Sequence, residues 1–276
     1  MLELGAYPPL SPDLYREARD ALRLINGAVL FEFAREPREI RDTIIRNFIA
    51  RSEMLTSSIF ALWELSDFQD CWILHRCLMD RFFHLVHLRK TDSFESFEAW
   101  SFLRQYRTLD RVLTDPLLSS EARDSVERPT PEHRERAHSL QSSPPKWRRP
   151  KAEEVAREMD MHFLYRFGYD YASMHVHPMA DDGLQDFHTI TSLEPAPEFP
   201  DQVTVLSNSI LIGTMMVQEG LNASTVGWRA LLFELLNDLR LFLAEGEPVY
   251  RERLLTLAGE MMNQTRLSGA VTSQDA

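Results

Sequence analysis

Arginine, aspartate, tyrosine, serine and histidine can together hold a phosphate and move a proton. Two stretches of this 276-residue sequence carry them at helical spacing. The first is CWILHRCLMDRFFHLVHLRK, Cys71 to Lys90. At about 100° per residue, with Arg76 at zero, Asp80 falls at about 40°, His84 at about 80° and His87 at about 20°. Most of the remaining circumference is apolar (Leu74, Cys77, Leu78, Phe82, Leu85, Val86 and Leu88), the pattern of a central helix. A polar stripe on a central helix must find partners, because burying a lone charge is costly. The same residues also fit a purely structural role, an Arg76–Asp80 pair at i,i+4 that ties neighbouring helices together.

The second stretch is HFLYRFGYDYASMHVHP, His162 to Pro178. On a continuous helix Tyr165, Tyr169 and Ser173 step by four and share a face, with His162 nearby and His177 at the C-terminal end. Two phenols, a hydroxyl and an imidazole make a hydrogen-bonding strip. Imidazole titrates near neutrality, so His177 is a candidate for proton transfer or, when charged, for phosphate binding. A polar helix terminus, with the imidazole serving the last carbonyls, is the structural alternative. His175 and His177 with Asp181 and Asp182 also hold metal-ligand types, but no HExxH or comparable paired motif accompanies them. There is no GxSxG, no phosphate-binding P-loop and no GxGxxG, and no cofactor is implied.

Helices must position these stripes. With 44% hydrophobic residues the chain can bury a large core, and helical periodicity dominates it. Helices are expected from Ser11-Pro12 to about Arg35, from Pro37 to near Ser66-Asp67, and from about Asp70 to Lys90. A fourth is expected after Asp92/Ser93 to Leu113, with Asp92 and Glu95 as a capping pair. Residues 115–151 are Pro-rich and carry eight basic and six acidic side chains, so they read as a long loop or insertion with a short charged helix around Glu132–Leu140. Trp147, in PPKWRRP, is either a stacking point or an anchor that draws this loop onto the domain. A helix from Lys151 is expected to continue to Val176, where Pro178 ends it. After an irregular stretch over 179–201, helices are expected at about 202–221 and 225–244, the second capped by Ser224, and a last one starts at Pro248. The fold class is all-α: one domain, 1–266, of about seven or eight helices with an irregular insertion at 115–150 and a disordered tail at 267–276.

Composition narrows the partners. The net charge of −12 argues against general DNA binding and against an anionic membrane surface, though not against a local phosphate site. Three of the 30 basic residues are lysines (Lys90, Lys146, Lys151), an arginine bias that a GC-rich genome explains. Cys71 and Cys77 point about 240° apart on a helix and read as buried fillers in a reducing cytosol. The N-terminus lacks a signal-peptide pattern, so a cytoplasmic protein is expected.

The order of these pieces resembles a bacterial all-helical family, domain of unknown function fifty-six seventy-seven. The matching pieces are Arg76 with Asp80 in ILHRCLMDRFF, Trp147 in PPKWRRPKAEEVA, and the series Tyr165, Tyr169, Ser173, His177, Pro178, over roughly residues 40–180. The family usually carries Glu where this chain has Asp80, one methylene shorter. The resemblance implies an all-helical cytoplasmic domain and no settled activity. A looser likeness is to HEPN-type ribonucleases, which cut RNA without metal using an Arg and a His four to six residues apart. Here Arg166 and His175 have eight residues between them, outside that pattern, so Arg76 and His177 would have to meet in space.

Three functions compete. The first is a metal-independent RNase of a stress or phage-defence system. In it His177 exchanges a proton with the ribose 2′-hydroxyl or leaving oxygen, Arg76 offsets phosphorane charge, Asp80 orients Arg76 or a His, and Tyr169 and Ser173 hold the phosphate, with RNA as partner. The second is a non-catalytic interaction or scaffold module, which allows an oligomer. The third is a metal-dependent hydrolase built on His175, His177, Asp181 and Asp182.

Overall fold

The computed structural model describes residues 10–35, 39–177, 179–180, 183–192, 203–224 and 229–259. Among them the secondary structure is helical and no strand occurs. The long helices are α1 (Pro12–Arg35), α2 (Ile40–Glu64), α3 (Phe68–Thr91) and α4 (Phe94–Thr114). Two short helices, α5 (Ser120–Asp124) and α6 (Pro131–Ser142), interrupt the Pro-rich segment. The chain continues through α7 (Ala152–Glu158), α8 (His162–Leu164), a π-helical stretch (Tyr165–Asp170) and α9 (Tyr171–Met174). It ends with α10 (Leu184–Thr191), α11 (Thr204–Asn222), α12 (Arg229–Glu245) and a helical segment at 250–259. Twelve α-helices are thus described where about seven or eight are expected, because the expected helix from Lys151 is divided into short pieces and the insertion holds α5 and α6. The extra ones are short, and the insertion at 115–150 is therefore partly helical. Pro37, Asp181, Asp182, residues 193–202 and the tail from 260 lie outside the described residues.

The start of α1 is dictated by its sequence. Pro12 occupies the first helical position, where no N–H is needed, and Tyr15, Ala18, Leu22, Ile25, Val29 and Phe33 repeat at three and four to form its buried face. The helix runs unbroken through Asn26-Gly27, and Asn26 donates to Glu53 of α2 at 2.6 Å. α3 opens on Asp67, whose carboxylate accepts from the Asp70 N–H at 3.1 Å. It closes on Asp92 in the left-handed region at φ 46°. Asp92 therefore ends α3 and does not cap α4, and Ser93 alone precedes Phe94.

The hub is α3. Cys71, Trp72, Leu78, Met79, Phe82, Phe83, Leu85 and Val86 are all buried and cover about half of its circumference, with His75 buried among them and the Arg76 stripe beside them. It packs between α2 and α11, with α7, the π stretch and α9 on a third side. The core cluster around it draws on residues from Tyr15 to Leu257.

The helix expected from Lys151 to Val176 is broken once. Asp160 takes φ 56°, the Met161 N–H reaches the Ala156 carbonyl at 2.7 Å and the Asp160 N–H reaches the Arg157 carbonyl at 3.4 Å. This paired closure satisfies the last carbonyls of α7 and re-aims the chain before α8.

Candidate functional site

The two stripes meet. The Arg76 guanidinium lies over the ring of Tyr169, with Cζ 3.2 Å from the centroid, and its Nη2 contacts the Tyr169 phenol oxygen. Its Nε donates to Ser173 Oγ at 2.7 Å, and that hydroxyl in turn donates to the Tyr169 carbonyl at 2.7 Å. On the other side, Nη1 stands 2.5 Å from Asp80 Oδ2. The Tyr169 phenol donates to Asp80 Oδ1 at 3.2 Å, which closes the ring of contacts. Four polar side chains from two segments about ninety residues apart thus form one centre.

Local structure explains the meeting. Gly168 lies on the π stretch directly over α3: a Cβ there would stand 2.9 Å from Met79 Cε and 3.0 Å from its Sδ. The missing side chain lets the two backbones approach until Tyr169 reaches across to Asp80. Tyr169 is then fixed from two sides, stacked on Tyr165 with centroids 5.3 Å apart and edge-on to Phe83 at 5.7 Å. A π turn, with its widened i→i+5 ladder, is rare and recurs at functional sites.

The centre is half-buried. The Arg76 side chain is 17% exposed and Asp80 31%, so the carboxylate keeps a path to water. Burial, reinforced by the Asp80 charge, pushes the Tyr169 phenol up to about 12, so it remains protonated and can act as a donor. His84, one turn past Asp80, is pushed down to about 4 by burial. It stays neutral against the indole of Trp147, 6.0 Å away.

His177 is placed differently. Its backbone N–H bonds to the Ser173 carbonyl at 3.3 Å, so the helical path runs on to it, one turn beyond Ser173. The imidazole is exposed and has no side-chain hydrogen bond or ion pair with a described residue. His175 turns inward and stacks on Trp72 at 6.2 Å, so the two imidazoles of His-Val-His diverge. Among the described residues no group of three or more His, Cys, Asp or Glu is arranged to hold a metal ion. Asp181 and Asp182 lie outside the described residues.

Other sequence candidates resolve into packing. Trp147 is 4% exposed, wedged 4.5 Å from Trp100 and 4.8 Å from Phe97, with its backbone N–H donated to Ser96 Oγ at 3.0 Å. It is the anchor of its loop. Cys71 is buried, and desolvation pushes its thiol up to about 12, far from a thiolate nucleophile. Sequence reasoning missed Gly168. Its signal was a lone glycine among aromatics in an otherwise helical run. Among the described residues no helix is long and apolar enough to cross a membrane.

No curated protein and no solved structure matches the chain. A family model does match, over residues 42–192, more than half of the sequence and a span that contains Arg76, Asp80, Tyr169, Ser173 and His177. The chain therefore belongs to the family described as Family of unknown function (DUF5677).

Proposed function

We propose that the protein is a metal-independent ribonuclease whose centre is the Arg76–Asp80–Tyr169–Ser173 cluster, with His177 as its proton-transfer group. The observation that carries this reading is the convergence of a guanidinium from α3, a protonated phenol from the π stretch and a hydroxyl from α9, with the exposed His177 one helical turn beyond that hydroxyl. In the reaction His177 takes the proton of a ribose 2′-hydroxyl while the 2′-oxygen attacks phosphorus. Arg76 and the Tyr169 phenol offset the charge that builds on the phosphoryl oxygens. The 5′-oxygen leaves and takes up the proton from the imidazolium just formed, giving a 2′,3′-cyclic phosphate and a 5′-hydroxyl. Asp80 positions Arg76 throughout.

The test is cleavage of a mixed RNA pool in EDTA by wild type, His177→Ala and Arg76→Ala. Wild-type activity reduced at least about a hundredfold in His177→Ala is the expected result. His177 is exposed and makes no side-chain bond with a described residue, so the packed core should not depend on it. Equal activity in all three proteins, or none in wild type, removes the proposal. Growth arrest on overproduction in a bacterial host, relieved by His177→Ala, would fit a stress or phage-defence role.

A second reading has its own support. Asp80 already neutralises Arg76, and Ser173 and Tyr169 engage its Nε and Nη2, as a structural clamp between helices would require. In that non-catalytic module Arg76→Ala lowers the melting temperature and no RNA is cut.

A further inference from the structure

The inner face of α4 changes character along its length. Phe94 is buried, Phe97 packs edge-on to Phe48 of α2 at 6.0 Å, and Trp100 lies against Trp147. Past Leu103, the last buried residue of the helix, the face carries Arg104, Arg107 and Arg111. Together with Trp100 they fall within about 60° of arc. All three arginines are exposed, and none makes a side-chain hydrogen bond or ion pair with a described residue. The Arg104 guanidinium lies 5.6 Å from the centroid of the Trp100 ring. With Trp100, Leu103 and Thr108 they line a cleft of about 160 Å³.

Three exposed arginines thus share one face of one helix in a chain of net charge −12. Several other cations stand against carboxylates: Lys90 by Glu158, Arg128 by Asp124, and Arg136 by Glu98 on the opposite side of α4. Three like charges at i, i+3 and i+7 repel one another, and an anionic partner relieves that cost. They are strung along the helix at rises of about 4.5 and 6 Å, a line of charge that suits a linear polyanion better than one phosphate. Trp100 is partly exposed beside them, and an aromatic face next to arginines is a stacking platform for a base. The basic surface also leads toward the catalytic cluster. Trp147 pins the loop carrying Lys146, Arg148 and Arg149 against α3 and α4, and Arg149 is near enough to His84 to disfavour its charged form.

We infer that Arg104, Arg107, Arg111 and Trp100 form a binding track for the backbone of single-stranded RNA. This rests on the ribonuclease reading for the identity of the polymer and extends it to how the strand is held. The test is fluorescence anisotropy of a labelled single strand of about 12 nucleotides with the full chain in EDTA. It compares His177→Ala, so that the strand stays whole, with His177→Ala carrying Arg104→Ala, Arg107→Ala and Arg111→Ala. Arg23→Ala, an exposed arginine of α1, is the control. The triple change should weaken binding at least about tenfold and lower the slope of log affinity against log salt by about 2, while the control changes neither. Equal affinity in the triple variant, no binding at all, or equal affinity for a sulfated polysaccharide overturns the inference. Binding that depends on the arginines without any cleavage by wild type removes only the catalytic reading. Cleavage that survives the triple change undiminished at sub-saturating RNA removes only the track.

Discussion

α3 has two polar seams, and they are built in opposite ways. Against α11, a helix of 19 residues, the contacts are few. His75 Nδ1 meets Ser209 Oγ at 3.0 Å in full burial, and Arg89 reaches across to Glu219, whose side chain is 11% exposed. Against the 162–174 segment, the contacts are denser and the carboxylate is more open, with Arg76, Asp80, Tyr169 and Ser173 all touching within one turn. The first seam joins two regular helices by one partner each. The second needs a glycine, a π turn and a stacked pair of tyrosines to exist. Geometry that irregular is costly for stability alone, and it is the half-exposed seam that keeps donors within reach of a ligand.

If close approach at Gly168 builds the second seam, filling that space should break it. Gly168→Leu would drive its side chain into Met79 and lift the π stretch off α3. Overpacking of this kind costs about 3 kcal/mol, so the melting temperature should fall by roughly 6–12 °C. Gly168→Ala should cost less, because Met79 Cε is the far end of a flexible side chain. Thermal unfolding of both variants checks this, and a Leu variant as stable as wild type would mean that the two helices do not depend on the contact.

Much of this arrangement is written in residue spacing. The apolar circumference of α3 and the Arg76–Asp80 stripe come from 3.6-residue periodicity, and a buried charge must seek partners, so a meeting with the Tyr169/Ser173 strip could be anticipated from chemistry. The α7 break could not. Asp160 is neither Gly nor Pro, and its left-handed φ is imposed by the closure of α7 on Ala156 and Arg157. Nor could the π register be read, since periodicity assumes one ladder throughout and the extra residue is set by how closely Gly168 can approach α3. The exposed setting of His177 was equally hidden, because a side chain at a helix end faces inward or outward according to the neighbours that tertiary packing brings to it.

The two arginines of α3 sharpen the contrast. Arg89→Ala strands the Glu219 carboxylate, which is 11% exposed, whereas Arg76→Ala leaves Asp80 31% exposed and able to hydrate. A stranded buried charge is costly, so Arg89→Ala should destabilise by about 2–4 kcal/mol and Arg76→Ala by about 1–2 kcal/mol. Chemical denaturation gives both values. The reverse order would make the Arg76 centre the stronger tie and would favour the non-catalytic module over the ribonuclease.

The smallest effect concerns protons in the α11 seam. Burial pushes His75 down to about 3, so it is neutral throughout the folded protein's working range. In the unfolded chain an imidazole titrates near 6.5. Between those values the unfolded state binds the extra proton, so the stability linked to His75 is present above about pH 6.5 and is lost as the pH falls toward 3. Integrated from pH 7 to pH 5, this single group should remove about 2 kcal/mol. His84, pushed down to about 4, acts in the same direction from the other side of α3. His75→Gln can still bond Ser209 but does not titrate, so it should lose about 2 kcal/mol less than wild type over that interval, whatever its stability at pH 7. Parallel pH profiles for the two proteins would show that His75 reaches water in the folded state, and the α11 seam would then be as open as the one that carries Arg76.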